Sequence, residues 1–325
     1  MALQTTGTTG LSAEMKTFYD RVLLERTVPT LLYTKFGQPK GIPANGGRII
    51  EWRRFSALGL ATTPLVEGTL YTDLKDITVT SITGTVNQYG DAVGFSDLVS
   101  TTTIDPLLTE TTKVLAEQAA QTIDSVVRDA LVLGTNVLYA NTRTLRSNIV
   151  LATDNFAQMN GAGGSQAGGS LRDLRLIALT MDLNRARRID GYWQMITHPR
   201  VMFDIQNTTE WQQAQLYNQS NRIFDGSVGE MYGIKFWVTD VAKVYVDAGS
   251  ALTDVYVSLI FGQNAFGIVK LADQNLQTIF KPLGSAGSSD PLNQQQTMGW
   301  KTTFGIQILQ QLFMLRYESS ASTGA

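Results

Sequence analysis

Apolar positions along the chain change period several times, and each change marks an element. From Ser12, a helix-capping residue, Met15, Phe18, Tyr19, Val22 and Leu23 recur at three- and four-residue steps and make one apolar stripe. A stripe this short needs a partner surface. Residues 1–10 are Thr/Gly-rich without periodicity, which predicts a flexible terminus. Gly and Pro collect from Gly37 to Gly47, so this first segment reads as an arm joined to the rest by a linker.

Period-two signals follow. Residues 48–55 (RIIEWRRF) and 76–89 (DITVTSITGTVNQY) are rich in β-branched and aromatic residues, with Ile77, Val79, Ser81, Thr83 and Thr85 on one face. Between them, Ser56–Lys75 contains Gly59, Pro64 and Gly68 and has no period of its own. A connection of this length is unusual inside a compact domain and marks either a functional projection or a disordered loop. Arg48, Glu51, Arg53 and Arg54 lie on its first strand, and Glu67, Asp73, Lys75 and Asp76 near its tip, so opposite charges are available for contacts.

From Asp105 to about Leu133 the period becomes helical, carried by Leu108, Val114, Leu115, Ala119, Ile123, Val126, Val127, Ala130 and Leu131. Asp105 and Pro106 suit a cap and first turn, and Gly134 and Asn136 a stop. Such a helix spans ~40 Å and serves as a spine. A strand at Ser147–Leu151, a Gly/Ser loop at Asn160–Ser170 and a helix opened by a Ser170/Asp173 capping box come next, with Leu171, Leu174, Ile177, Ala178 and Met181 inward. Arg185, Arg187 and Arg188 favour that helix's C-terminal end. A strand at Tyr192–Thr197, a helix opened by His198-Pro199, and strands from Ile234, Val255 and Phe266 complete an α+β pattern. Strand-like residues run from Met298 to Glu318, followed by a tail, SSASTGA, expected to fray.

Composition excludes more than it implies. Zero Cys removes disulfides, thiolate nucleophiles, iron–sulfur clusters and Cys-based zinc sites, and a single His, His198, removes multi-His metal sites. His198 next to Pro reads as a helix cap. The 26 basic and 28 acidic residues leave a formal charge of -2, which argues against affinity based on neutralising nucleic-acid phosphates. Charged residues are only 17% of the chain, so copies of it repel one another little. No apolar run is long enough for a transmembrane helix, and the N-terminus lacks signal-peptide character. There is no phosphate loop, dinucleotide fingerprint, GxSxG elbow, HExxH or EF-hand pattern. No enzyme, metal site, cofactor or membrane partner is expected. What remains is a set of devices for association.

The order of these segments resembles the major capsid (coat) proteins of tailed phages, of the Hong Kong 97 fold. The likeness rests on residues 105–131 as the spine helix, MITHPRVMFDI (Met195–Ile205), DGSVGEMYGIKFWVTD (Asp225–Asp240) and FGQNAFG (Phe261–Gly267). DPLNQQQTMGWKTTFGIQIL (Asp290–Leu309) is similar to the C-terminal signature of the N4-like coat-protein family. The resemblance implies an N-terminal arm (1–45), an extended β-hairpin loop (46–95), a peripheral domain (96–194 and 286–325) with spine helix 105–133, and an axial domain (195–285).

It further implies self-assembly as pentamers and hexamers into an icosahedral shell around double-stranded DNA, contacted non-specifically. Portal protein, a separate scaffolding protein and a decoration protein are the other implied partners. Some relatives begin with a cleaved scaffolding segment; here the arm starts almost at once, so no proteolysis is expected. Intersubunit contacts are expected from Phe18, Tyr19, Val22 and Leu23 on the arm and from Arg48, Glu51, Arg53, Arg54, Glu67 and Asp73 on the loop. The open alternatives are an encapsulin-like compartment and a monomeric binding module or enzyme.

Overall fold

The computed structural model describes residues 31–43, 45–70, 72, 74–102, 107–159, 170–217, 229–271, 276–285 and 290–322. The stripe from Ser12 to Leu23, the Asp105-Pro106 cap, residues 160–169 and Asp73 lie outside the described residues.

Two sheets organise the chain. The longest strand, β13 (Gln295–Ile308), centres the first. Along one edge it pairs antiparallel with β4 (Asn87–Ser96), from Gln295 opposite Ser96 to Phe304 opposite Asn87. Its other edge takes β12 (Gln277–Lys281) and then β11 (Phe266–Leu271), both antiparallel. Beyond β11 lies β1 (Gln38–Ile42), in parallel pairing. The expected Gly/Pro linker is therefore corrected in part to a strand. At Gly37, a Cβ would lie 2.6 Å from the Ile268 side chain, so the glycine is what lets the chain approach β11 this closely.

The second sheet has the order β5 (Val137–Tyr139), β14 (Met314–Ser319), β10 (Val255–Phe261), β6 (Trp193–Thr197), β8 (Ile234–Val238), β7 (Gly229–Met231), with β9 (Val244–Tyr245) also on β10. Every residue of β10 and β6 is buried, as their continuous apolar runs require of strands covered on both faces. A short helix, α1 (Asp97–Thr102), follows β4, and α2 (Leu107–Val132) is the expected spine. Its Leu115, Ala116 and Ala119 pack on Met298 and Trp300 of the first sheet. One turn further on, Ile123, Val127 and Leu131 enter a core shared by Phe266, Ile268 and Phe304 of the first sheet and Ile196, Val257 and Phe261 of the second. Val114, expected inward, is exposed. The backbone N–H of Gly134 donates to Leu131 O at 3.0 Å and closes the helix.

The second sheet also carries α3 (Arg172–Leu183), α4 (Pro199–Gln206) and α5 (Thr209–Tyr217). Leu174, Ile177 and Met181 of α3 are fully buried, as the periodicity implies. The capping box is replaced by another arrangement. Ser170 Oγ accepts from Arg172 N, while Asp173 turns inward and accepts from Asn141 N and Tyr317 Oη. No strand forms at Ser147–Leu151. A 3-10 turn (Arg146–Asn148) stands there because Asp154 Oδ2 accepts from Val150 N at 2.8 Å and Arg146 turns to Glu318. The tail is ordered to Ser322: Ser320 N donates to Asp154 O, and Ser322 N to Asp204 Oδ2 at 2.8 Å.

The sheets cross the expected domain boundaries. β14 joins β10 and β5 in the second sheet, whereas β11 and β12, which fall within 195–285, belong to the first. Non-local pairing decided both placements.

Candidate assembly surface

β2 (Ile49–Phe55) and β3 (Val79–Thr85) form the predicted hairpin, in register from Ile49 opposite Thr85 to Phe55 opposite Val79. The base is anchored by Trp52, which packs with Ile42, Val86 and Val269. Two glycines shape its slot: a Cβ on Gly84 or Gly267 would lie 2.7 Å from the indole ring. Val86, buried between β3 and β4, ends the hairpin and passes the chain into the first sheet.

Above this base the projection is bare. Every described residue from Arg53 to Ser81 is exposed. Among them are Phe55, Leu58, Leu60, Leu65, Val66, Leu70, Leu74, Ile77 and Val79, with Leu60 92% and Leu70 85% accessible. Single exposed apolar residues are ordinary, but nine on one projection mark an interaction surface. Burial of a leucine side chain contributes about 1.5–3 kcal/mol.

Several of the charged residues also have partners within the chain. Arg48 Nη2 donates to Val86 O and Asn87 Oδ1, both at 3.3 Å, and Arg54 Nη1 donates to Gln310 Oε1, so these two arginines fasten the base of the loop to its own chain. Arg53 Nε stands 3.4 Å from Glu51 Oε1, an exposed pair of the kind that contributes little. Glu67 is exposed on the loop. The sequence reading selected these charged residues and passed over the apolar ones. The available signal was a density of Leu and Val in a segment without the length or period to bury them.

Elsewhere the chemistry is structural. His198 Nδ1 accepts from Arg200 N at 3.2 Å and caps α4; burial and the Arg200 charge lower its pKa. Two arginines on or near α3 have partners: Arg175 of the helix pairs with Glu210 at 3.0 Å, and Arg188 beyond its end approaches Asp182 and lies over Trp193. Among the described residues, no three His, Cys, Asp or Glu side chains are grouped to hold a metal, and no helix is long and apolar enough to cross a membrane.

A mixed α+β body carrying a bare apolar projection defines a structural protein that works by association. The chain belongs to the phage capsid protein family, whose sequence model matches residues 78–310, more than two thirds of the chain. It is a shell component of the virion rather than an enzyme. None of the curated proteins matches it in sequence. The fold is of the Hong Kong 97 type. It is similar to the capsid of cyanophage Pam1 (TM-score 0.63, 13% identity, 92% of each chain covered) and of cyanophage P-SCSP1u (0.62, 14%, 88% of this chain and 87% of that one). It is also similar to the capsid of Ralstonia phage GP4 (0.59, 12%, 88% and 87%).

Proposed function

We propose that this chain is the major capsid protein of a tailed phage, assembling as pentamers and hexamers into an icosahedral shell around double-stranded DNA. The observation that carries the reading is the exposed apolar projection between β2 and β3, which none of the described residues covers. A neighbouring copy is the occupant that a shell supplies at every position. Many modest contacts then sum over the lattice while each remains weak enough for errors to dissociate.

In this reading residues 96–194 and 286–325, with α2 as the spine, form the peripheral domain and residues 195–285 the axial domain. Residues 1–45 include the arm, with Phe18, Tyr19, Val22 and Leu23 as anchors on neighbouring copies. On the loop, apolar residues lead the contact and Arg53, Glu51, Glu67 and Asp73 flank it. The segment Asp290–Leu309 supports membership of the N4-like group. Portal protein, a separate scaffolding protein and a decoration protein complete the partner set, and DNA is contacted non-specifically.

Negative-stain imaging and sedimentation of the full chain test the reading. Closed shells are expected with scaffold present, with nucleic acid inside particles from infected cells. A monodisperse single subunit under all conditions would overturn it, and particles filled with protein cargo instead of DNA would favour a cellular compartment.

A further inference from the structure

One helix face outside the projection is also bare. On α3, Leu174, Ile177 and Met181 are buried together with Asp173, and the opposite side carries Leu176, Leu179 and Leu183 at steps of three and four residues. Leu176 is half-buried, whereas Leu179 is 53% and Leu183 73% accessible. Arg172, one turn before Leu176, continues the same line. A globular helix keeps polar residues on its solvent side, so the fold of this chain gives these leucines no role.

The rim of this ridge is basic. Arg172, Arg175, Arg185, Arg187 and Arg188 fall on α3 or just beyond its end. Arg175 is tied to Glu210, to which Tyr232 Oη also donates at 2.9 Å, and Arg188 lies 3.7 Å from Asp182. Arg172, Arg185 and Arg187 have no ion pair among the described residues, and Arg185 and Arg187 are exposed. The whole chain has a formal charge of -2, so this is a local basic excess on a slightly acidic protein.

We propose that the outward face of α3 is a docking site for an acidic amphipathic helix of a partner protein. That helix lays its apolar stripe on Leu176, Leu179 and Leu183 and sets carboxylates against Arg172, Arg185 and Arg187. Charge selects this occupant over two others. A second copy of α3 would pair the leucines equally well, but antiparallel packing brings the Arg172 end of one helix to the Arg185 and Arg187 end of the other, and parallel packing sets like ends together. Either way arginine meets arginine, which costs affinity. Duplex DNA would satisfy the arginines and leave the exposed leucines without a partner. An acidic helix serves both, with an apolar centre and a charged rim. Because α3 packs on the second sheet and the β2–β3 projection is rooted on the first, this docking and the shell contact use different residues.

Fluorescence anisotropy with the full-length, unassembled chain tests this. The probe is a labelled synthetic helix of about 18 residues, with leucine at steps of three and four and glutamate on both flanks. Saturable binding is expected, weakening from about 0.05 to 0.5 M salt. Leu179→Ser combined with Leu183→Ser should weaken it at least about tenfold, with a thermal melt close to that of the unmodified chain because both leucines are exposed. Leu60→Ser on the loop should leave it unchanged. A peptide with lysine in place of glutamate should bind at least about tenfold more weakly. No saturable binding, equal binding of the lysine peptide, or tighter binding of a short duplex DNA would overturn the proposal even if the leucine variant did not fold. An unchanged affinity in that variant would overturn it as well, and a dimer that the variant dissolves would assign the face to a second copy instead. The measurement uses single subunits, so any of these failures would leave the capsid reading intact.

Discussion

Arg146 and Glu318 meet as a two-point ion pair, Nε to Oε2 at 2.7 Å and Nη2 to Oε1 at 2.8 Å, with the Glu318 side chain fully buried. The bond to Glu318 raises the Arg146 pKa. Arg316 stands within ion-pair distance of the same carboxylate at 2.9 Å. This cluster holds β14 between β5 and β10. Glu318→Ala leaves two guanidinium groups without their anion and is expected to cost about 3–5 kcal/mol. Denaturant titration should show a lowered midpoint, or the variant should fail to accumulate as soluble protein.

The apolar loop separates folding from assembly. Replacing Leu58, Leu60, Leu65 and Leu70 by Ser should leave subunit stability nearly unchanged, because all four are already exposed. Loss of about 1.5–3 kcal/mol for each leucine that a neighbour buries should abolish shells. Reversing Arg53 and Arg54 should weaken particles less. Particle yield by sedimentation ranks the two variants, and equal yields would count against an apolar contact.

The arm makes a separate contribution. Deleting residues 1–26, which removes Phe18, Tyr19, Val22 and Leu23, is expected to block or misdirect shell formation while preserving the fold of residues 31–322. Electron microscopy beside a thermal melt distinguishes the two effects.

A glycine pair sets the contact of β4 with β13. A Cβ on Gly299 would lie 2.7 Å from Asp91 O, and one on Gly90 would lie 2.5 Å from Trp300 O. Both obstacles are backbone and cannot swing aside. Gly299→Ala is expected to destabilise by about 1–3 kcal/mol, read as a lowered melting temperature.

His198 gives a pH signature of its own. Its folded pKa lies below the usual value, so the unfolded chain binds the proton more tightly. Its contribution is complete above about pH 6.5 and declines as pH falls towards the folded pKa. His198→Asn keeps an N-cap acceptor and should remove this decline. The difference between the two melting profiles from pH 7.5 to 5 isolates it from the carboxylates.

Much of the architecture was legible because local period carries it. The runs at 107–132, 193–197, 255–261 and 266–271 became one helix and three strands close to their expected bounds. Candidate contacts were less legible. Arg48 and Arg54 look available in the sequence, yet their partners are Val86, Asn87 and Gln310, brought near only by folding. Leu60 and Leu70 look ordinary until the hairpin leaves them exposed, apart from the two sheets.

Composition and periodicity by themselves determined an α+β subunit without thiol chemistry, with a spine helix and a projecting loop, because those properties depend on residue type and near-neighbour spacing. Only the tertiary structure decided that β14 closes the second sheet, that Ser320 and Ser322 are held, and that the Asp124 carboxylate accepts from the backbone N–H groups of residues 32 and 33. Each of these joins positions distant in sequence, and the backbone and carboxylate groups involved find partners only after the core has brought them together.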